Sequence, residues 1–436
     1  MEERYLHTAN ALLEFLKKSP TAYQVVENMG SILQNAGYTP LAESEKWDLV
    51  PGGKYYVTRN GTAILAFRIP KQCAKNFLIT ASHSDSPTFK LKPEFEADSF
   101  GTYVRLNTEK YGGMLHHTWV DRPLSLAGRV IVQKDGVFTA RSVVIDEDLC
   151  VIPSVAIHMN RSANDGLKLN PASDLFPLLS STAGKGSVVR LAAKAAGTEA
   201  ENIAAMDLYL YDRTPGVIWG PEKEFFSSGR IDDLMCAWGT LQGLLTAESA
   251  AAVQVCAVFD NEETGSSTKQ GAGSFLMRDT LSRIAEALGQ DLRQMLAASF
   301  MVSADNGHAR HPSHPELSDP QNAPKMNGGV VIKANAAQKY TTDGMSSAVF
   351  ETICKKAGVP VQRFSNRSDL PGGSTLGSIA DTLTPMATVD IGLAQLAMHS
   401  CYETAGVMDA EYLVTACKAF YEADLSSPAD GIFHLK

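Results

Sequence analysis

The chain has 436 residues, of which 44% are hydrophobic and 20% are charged. This length exceeds the usual size of one hydrophobic core, so we expect two domains, and the composition argues against a disordered chain. The formal charge of −9 and the lack of a Lys/Arg cluster argue against a nucleic-acid-binding or anionic-membrane surface.

The seven cysteines are scattered and include no CxxC pair, a pattern typical of reduced thiols in a reducing compartment. The N-terminal residues begin with two glutamates and lack the apolar core of a secretory signal, and no run approaches the length of a membrane span. We therefore expect a cytoplasmic protein with no membrane or nucleic-acid partner.

The predicted elements begin with two helices within residues 5–36, followed by a β-rich stretch. The runs TAILAFRIP (62–70) and NFLITASHSD (76–85) are apolar and end in polar residues, as buried strands of an α/β sheet do. From about residue 93 to residue 228, short strand signals recur between turn residues, which predicts an inserted β domain. These signals are GRVIVQ, FTARSVVI, GSVVRLAAK and MDLYLYD.

After residue 230, predicted helices and strands alternate again. The order is a helix over 234–245, the strand VQVCAVF, a helix over 271–288, the strand SFMVSAD and a closing helix from Asp409. This alternation favours a mixed or parallel sheet flanked by helices. We predict an α/β fold with a mixed sheet in residues 1–92 plus 229–436, and a β-rich domain inserted over residues 93–228.

Five positions at strand ends or helix starts carry residues that can bind metal ions. His83 and Asp85 follow the strand FLITAS, where the carboxylate can orient the imidazole, although such a pair is often only structural. Asp232 opens a helix and is either a bridging ligand or a simple helix N-cap. Glu262 and Glu263 follow the strand VCAVF and form either a polar turn or a ligand beside a general base.

Asp305 follows another strand, and His399 follows the strand-like run VDIGL. A turn aspartate and a loop histidine are the ordinary alternatives. These alternatives do not explain why all the candidate ligands close an apolar run or open a helix, which is where α/β folds collect their sites.

Eight ordered strings carry a resemblance to a known family. They are ASHSDSP, YGGMLHHTWVDRPLSLAGRV, IPSVAIHMNR, GRIDDL, FDNEETGS, SADNGHA, RSDLPGGSTLG and LAMHS. In this order and at these separations they resemble the M18 metallopeptidases, the aspartyl aminopeptidase family, from roughly residue 10 to the last helix.

The resemblance implies a zinc-aminopeptidase-like catalytic domain, with a dimerisation domain inserted over residues 93–228. It implies that His83, Asp232 and Asp305 hold one divalent ion and that Asp232, Glu263 and His399 hold a second. These ions are expected to be zinc, although manganese and cobalt can occupy the same ligands.

The resemblance also assigns roles beyond the metal ligands. Glu262 matches the family's general base, and Asp85 matches the carboxylate that orients the first histidine. Lys333 and Tyr340 match residues that contact an acidic substrate side chain, although a strand lysine with its stem buried and a half-buried tyrosine would also fit. Arg367 and Ser368 are further substrate-binding candidates.

His158 matches a residue that reaches a neighbouring subunit's active site, and a surface histidine is its ordinary alternative. The implied partners are peptides with a free N-terminus and further copies of the chain, as dimers in a tetrahedral dodecamer. Asp233 stands where relatives often have asparagine, which adds a negative charge beside Asp232.

The resemblance therefore predicts an aminopeptidase that removes N-terminal Asp or Glu. Two alternatives remain open at this point. One is an M18 aminopeptidase that prefers neutral or basic N-terminal residues, and the other is a non-catalytic shell or cargo protein.

Overall fold

The computed structural model describes residues 1–370 and 372–436. Pro371, within the string RSDLPGGSTLG, lies outside the described residues. The described helices are α1 (Glu3–Lys18), α2 (Ala22–Asn35), α3 (Ser187–Ala196), α4 (Ile231–Thr246), α5 (Leu276–Ala287), α6 (Leu292–Ala297), α7 (Gly344–Lys356), α8 (Leu376–Leu383) and α9 (Val407–Tyr421).

The described strands form sheets of nine, six, five and two strands. In chain order they are β1 (Thr39–Leu41), β2 (Lys54–Arg59), β3 (Ala63–Arg68), β4 (Phe77–His83), β5 (Thr88–Ser99), β6 (Tyr103–Tyr111), β7 (Leu124–Lys134), β8 (Val137–Val144), β9 (Leu178–Ser181), β10 (Ile203–Asp212), β11 (Val217–Trp219), β12 (Phe225–Ser228), β13 (Val253–Phe259), β14 (Phe300–Ala304), β15 (Gly307–His308), β16 (Val330–Lys333), β17 (Val361–Phe364), β18 (Ala387–Gly392), β19 (Ala394–Leu396), β20 (Glu403–Gly406), β21 (Leu425–Ala429) and β22 (Ile432–Leu435).

The largest sheet has the order β1-β2-β3-β13-β4-β14-β18-β16-β17 and combines parallel and antiparallel pairs. Its central strands are buried on both faces. In β4, Leu78 packs into a core shared with α1, α2, α4, α7 and α9, whereas Phe77 and Ile79 pack into a second core shared with α5, α6 and α8. This alternation follows from the period of two along a strand. The predicted α/β fold with a mixed sheet flanked by helices is confirmed.

The six-stranded sheet has the order β8-β7-β10-β5-β6-β9 and packs with α3 around its own apolar core. β5 begins at Thr88, before the expected boundary at 93, and β12 pairs with β20 of the five-stranded sheet before the boundary at 229. The division of the chain into two domains at these boundaries stays a prediction.

One predicted strand is wrong, because GSVVRLAAK lies in helix α3. Val188, Ala192 and Ala196 recur at helical spacing on the buried face, whereas Arg190 and Lys194 are exposed. The predicted helix over 271–288 begins later, at Leu276. Among the described helices, none has both the length and the apolar character needed to cross a membrane.

Candidate metal centre

The candidate site lies where the central strands of the nine-stranded sheet end. β4 ends at His83, and Asp305 comes directly after β14. β13 is followed by a short 3-10 turn, Glu262–Thr264. Because β13 and β14 both run parallel to β4, their carboxyl ends meet at one edge of the sheet.

The first group of side chains surrounds His83. Its Nε2 atom lies 3.6 Å from Asp232 Oδ1 and 3.9 Å from Asp305 Oδ1. Asp233 Oδ2 is 4.0 Å from the same nitrogen. All four residues are buried, and each offers an atom within 4.8 Å of the others, which suits one small cation.

The second group surrounds His399. Its Nε2 atom lies 3.4 Å from Asp232 Oδ2 and 3.4 Å from Glu263 Oε1. Asp232 therefore faces both groups, with a different carboxylate oxygen toward each. Its peptide bond to Asp233 is cis. The five predicted ligands thus come together as two groups that share one carboxylate, and their role as metal ligands stays a prediction.

Both histidines have a partner for the ring nitrogen that faces away from the site. His83 Nδ1 lies 3.1 Å from the Asp85 carbonyl oxygen and 3.3 Å from the Asp85 carboxylate. His399 Nδ1 lies 2.5 Å from the carbonyl oxygen of Gly113. Donation from Nδ1 to these oxygens leaves each Nε2 with a free lone pair, as a metal-binding histidine requires.

Two buried carboxylate oxygens test whether these residues fit a metal. Asp232 Oδ1 and Glu263 Oε1 are shielded from solvent and have no hydrogen-bond partner in the described part of the chain. An unpaired buried carboxylate oxygen is costly unless a proton or a cation neutralises it. With imidazole nitrogens beside them, these oxygens complete a donor set that zinc accepts. The residues fit divalent ions.

The charges at the site show the same need for a cation. Burial, followed by repulsion from Asp305, Asp85 and Asp232, raises the pKa of Glu262 to about 7. Burial and the nearby Asp232 also raise the pKa of Glu263. Burial opposes ionisation of Asp232, but His399 and His83 lower its pKa below the ordinary value.

Glu262 lies beside the first group, and its role as the general base stays a prediction. An atom of its carboxylate lies within 4.8 Å of ligand atoms of His83 and Glu263. Its backbone N–H donates to Asp85 Oδ1 over 3.1 Å, and the N–H of Glu263 donates to Asp85 Oδ2 over 3.1 Å. Asp85 therefore contacts both His83 and the turn that carries the two glutamates.

The predicted substrate residues Lys333 and Tyr340 are buried beside Asp305. The Lys333 ammonium donates to the Asp305 carbonyl over 2.7 Å and lies 3.7 Å from the Asp305 carboxylate. It also lies 5.1 Å from the centre of the Tyr340 ring. The two residues adjoin the first group, and their contact with a substrate side chain stays a prediction.

The remaining predicted residues lie outside the two groups. His158 is exposed in the segment between β8 and β9. Arg367 pairs with Asp369 at 2.6 Å and also donates to the Glu316 carbonyl, and Ser368 is exposed. The predicted role of His158 requires a second copy of the chain.

Several residues that support the site received no specific role in the sequence analysis. Glu403 accepts the backbone N–H groups of Asp232 at 3.0 Å and His399 at 2.8 Å. Gln395 connects Glu403 to Asn306 through bonds of 3.1 and 2.7 Å. The sequence offered one signal for each of two residues: Asn306 follows Asp305 directly, and Glu403 lies four residues after His399. Acidic and amide residues are so common near turns that neither position stands out.

The chain is similar to known proteins along nearly its whole length. Residues 15–421 match the family model described as "Aminopeptidase I zinc metalloprotease (M18)". A "Probable M18 family aminopeptidase 2" from Clostridium novyi is 43% identical over 95% of this chain and 98% of its own length. An "Aspartyl aminopeptidase" from Dictyostelium discoideum is 36% identical over 96% of this chain and 97% of its own length.

Solved structures show the same fold. A cryo-EM structure of the Ape4 and Nbr1 complex contains a chain that is 35% identical, with a TM-score of 0.93, over 96% of this chain and 86% of that one. The mApe1 dodecamer of S. cerevisiae has a chain that is 29% identical, with a TM-score of 0.85, over 96% of this chain and 97% of that one.

The family resemblance read from the eight ordered strings is thereby confirmed. The expectation of a metallo-aminopeptidase is also confirmed, because the matching family is one of zinc metalloproteases and its relatives carry aminopeptidase names. The chain belongs to the M18 family of zinc metalloproteases and is an aminopeptidase, a hydrolase that removes residues from peptide N-termini.

Proposed function

We propose that the chain is a dinuclear zinc aminopeptidase that removes N-terminal Asp and Glu from peptides. The observation that carries the proposal is the placement of Asp232, whose two oxygens face His83 and His399 at 3.6 and 3.4 Å. A carboxylate that faces two ligand groups in this way is the usual bridge of a two-metal hydrolase site.

His83, Asp232 and Asp305 would hold one ion, and Asp232, Glu263 and His399 the other. Bound divalent ions polarise a scissile carbonyl and lower the pKa of a water molecule, and they anchor a free amino terminus. The four carboxylates of Asp232, Asp305, Glu263 and Glu262 would balance the charge of two divalent ions, and Asp85 and Asp233 lie beside them. Zinc suits this ligand set, and manganese and cobalt are alternatives.

Glu262 acts as the general base. Its carboxylate lies within 4.8 Å of ligand atoms of His83 and Glu263, and a carboxylate beside a metal-activated water is a suitable proton acceptor. The Asp85 carboxylate holds the Glu262 backbone N–H and so fixes the turn. Glu262 takes a proton from the attacking water and delivers it to the departing amine.

A preference for acidic residues has separate support. A relative from Dictyostelium discoideum carries the name aspartyl aminopeptidase, and Lys333 and Tyr340 place an ammonium and a phenol beside the first ligand group. One observation favours a second candidate function, a preference for neutral N-terminal residues. The Lys333 ammonium already donates to the Asp305 carbonyl, so it is less available to an acidic substrate side chain.

The assembly and location are part of the proposal. A structural relative is a dodecamer, and we propose that this chain forms dimers that build a tetrahedral dodecamer in the cytoplasm. In that assembly His158 would reach a neighbouring subunit's site. The inserted domain over 93–228 would supply the dimer contacts.

A panel of peptides tests the proposed activity. The substrates are peptides that differ only in an N-terminal Asp, Glu, Leu or Lys. The enzyme is first stripped of metal with a chelator and then reloaded with zinc, manganese or cobalt, and kcat/KM is measured for each peptide. We expect the highest kcat/KM for Asp and Glu, and no cleavage of an N-acetylated control. Faster cleavage of the Leu peptide would overturn the specificity, and no cleavage of any peptide would overturn the activity.

A further inference from the structure

Tyr111 brings the six-stranded sheet into contact with the candidate site. It is the last residue of β6. Its hydroxyl donates to Asp85 Oδ2 over 2.7 Å and accepts from the Asn261 side-chain amide over 2.7 Å. Because the Asn261 amide can only donate here, the direction of both hydrogen bonds is fixed.

Asp85 connects Tyr111 to Glu262, Glu263 and His83, the residues of the proposed mechanism. Besides Tyr111, its carboxylate accepts the backbone N–H groups of Glu262 and Glu263, each over 3.1 Å. Its Oδ1 atom lies 3.3 Å from His83 Nδ1. Three hydrogen-bond donors and one imidazole therefore share one carboxylate, so a change in its orientation moves the glutamate turn and the first histidine together.

The chain after Tyr111 stays against the site. Gly112 has a positive φ of +76°, and a Cβ at this position would lie 3.1 Å from Glu263 Cβ, so a side chain here would be strained and would crowd Glu263. The Gly113 carbonyl contacts His399 Nδ1, and the Leu115 N–H donates to the His399 carbonyl over 3.0 Å. The segment 111–115 thus contacts the second ligand group directly and is connected to His83 of the first group through Asp85.

We propose that Tyr111 is a positioning residue for the hydrolytic reaction, and that it orients Asp85 and through it the turn carrying Glu262 and Glu263. The six-stranded sheet is then part of the catalytic apparatus of its own subunit, in addition to any role between subunits. The inference rests on the proposed roles of Glu262 and Glu263.

The first test compares two hydroxyl deletions. Tyr111→Phe keeps the ring, which packs edge-on against Tyr209 at 5.8 Å, and removes the donor to Asp85. We expect kcat to fall roughly 10- to 100-fold, the usual cost of losing a partner that orients a metal site, with KM and zinc content unchanged. Tyr209→Phe removes a neighbouring hydroxyl that gives Asp85 no hydrogen bond among the described residues, and we expect it to leave kcat unchanged.

A double-mutant cycle tests whether Tyr111 acts through Asp85. If it does, Tyr111→Phe combined with Asp85→Asn is no slower than Asp85→Asn alone. Multiplied losses would contradict the proposal, and so would an unchanged kcat in Tyr111→Phe. If the Phe variant does not fold, 3-fluorotyrosine at position 111 keeps ring and hydroxyl and changes only the strength of the donor. An unchanged kcat in that protein would likewise contradict the proposal.

Glu262→Gln, measured alongside, separates this inference from the proposed function. If Glu262→Gln is inactive and Tyr111→Phe is unchanged, only the role of Tyr111 is wrong. If Glu262→Gln retains full turnover, the proposed mechanism is wrong, and with it the positioning role that depends on it.

Discussion

Buried carboxylates at the candidate site divide into two kinds by what their oxygens contact. Asp232 and Glu263 each have a buried oxygen without a hydrogen-bond partner among the described residues. Asp85 and Glu403 instead accept backbone N–H groups. The first kind is available to a cation, whereas the second holds the main chain that carries the ligands, so the two kinds should respond differently to substitution.

Removal of the carboxylate of Glu262 should stop turnover and leave metal binding intact. A glutamine in Glu262→Gln cannot accept the proton of the attacking water, and loss of a general base costs roughly 10²- to 10⁴-fold in rate. Steady-state kinetics and metal analysis check this expectation. Glu286→Gln, an exposed glutamate on α5, is the matched control. Turnover at the wild-type rate would remove Glu262 from the mechanism.

Glu403→Gln should weaken metal binding. The Glu403 carboxylate accepts two backbone N–H groups and the Gln395 amide, and a glutamine offers only one acceptor oxygen in its place. One N–H near Asp232 or His399 then lacks a partner, so we expect zinc affinity to fall roughly 10- to 100-fold. Competition with a chelator measures this affinity. The exposed Glu201→Gln is the control, and equal affinities would show that Glu403 does not position the ligands.

The sequence predicted the candidate ligands of the site better than the residues that hold those ligands in position. His83, Asp305 and the glutamate pair each follow an apolar strand, and this position carries information because parallel strands bring their carboxyl ends together. Glu403 and Tyr111 act through backbone and carboxylate contacts with residues 171 and 26 positions away. No local pattern records such contacts, so only the folded chain reveals them.

Helix α2 is held against the six-stranded sheet by polar contacts. Gln24 donates to the Gly128 carbonyl over 2.8 Å. Asp207, on β10, accepts from Lys90 of β5 and Arg129 of β7, each over 2.9 Å. The Arg129 guanidinium in turn lies over the Tyr23 ring of α2 at 4.8 Å. Asp207 therefore connects β5 and β7 to each other and, through Arg129, to helix α2.

Asp207→Asn should destabilise the protein in a pH-dependent way. Burial opposes ionisation, but Lys90 and Arg129 lower the Asp207 pKa below its ordinary value of 3.8. A lowered folded-state pKa stabilises the fold above pH 3.8, and this contribution is lost as the pH falls through the folded-state value. We expect a loss of about 1 to 2 kcal/mol near neutral pH, since the carboxylate is partly exposed, and a smaller loss below about pH 3.8.

Urea unfolding of wild type and Asp207→Asn across this pH range gives the difference in stability directly. Asp146→Asn is the control, because the Asp146 side chain is 87% exposed in its pair with Arg213 and such pairs contribute little. A difference between wild type and Asp207→Asn that grows on acidification would contradict the assigned direction of the pKa shift.

Element prediction from sequence succeeded where the apolar period was clear and failed at α3. The strands β3, β4, β13 and β14 lie within long apolar runs with the expected ends. The run SVVRLAAK is short and begins with two adjacent valines after its serine, and a short apolar run does not distinguish a strand from a helix. Its packing against the six-stranded sheet, through Val188 and Ala192, selects the helix.

At the scale of the whole molecule, metal binding should stabilise the fold. Without a cation, the buried carboxylates of Asp232, Glu263 and Asp305 repel one another, and an ion that binds only the folded state raises its stability. We expect chelation to abolish hydrolysis and lower Tm, and added zinc to restore both. Asp232→Ala is the control, because its Tm should respond little to zinc. A wild-type Tm that is insensitive to chelation would contradict a metal site of this kind.

The role proposed for His158 can be tested by mixing two inactive subunits. His158 is exposed within one subunit, so a function in hydrolysis requires it to enter a neighbour's site. In mixed assemblies of His158→Ala and Glu262→Gln chains, some sites combine the Glu262 of one subunit with the His158 of another. These sites are complete, so we expect the mixture, dissociated and reassembled, to recover activity that neither variant has alone. Light scattering verifies that both variants assemble. Correctly assembled mixtures that remain inactive would show that His158 does not act across the interface.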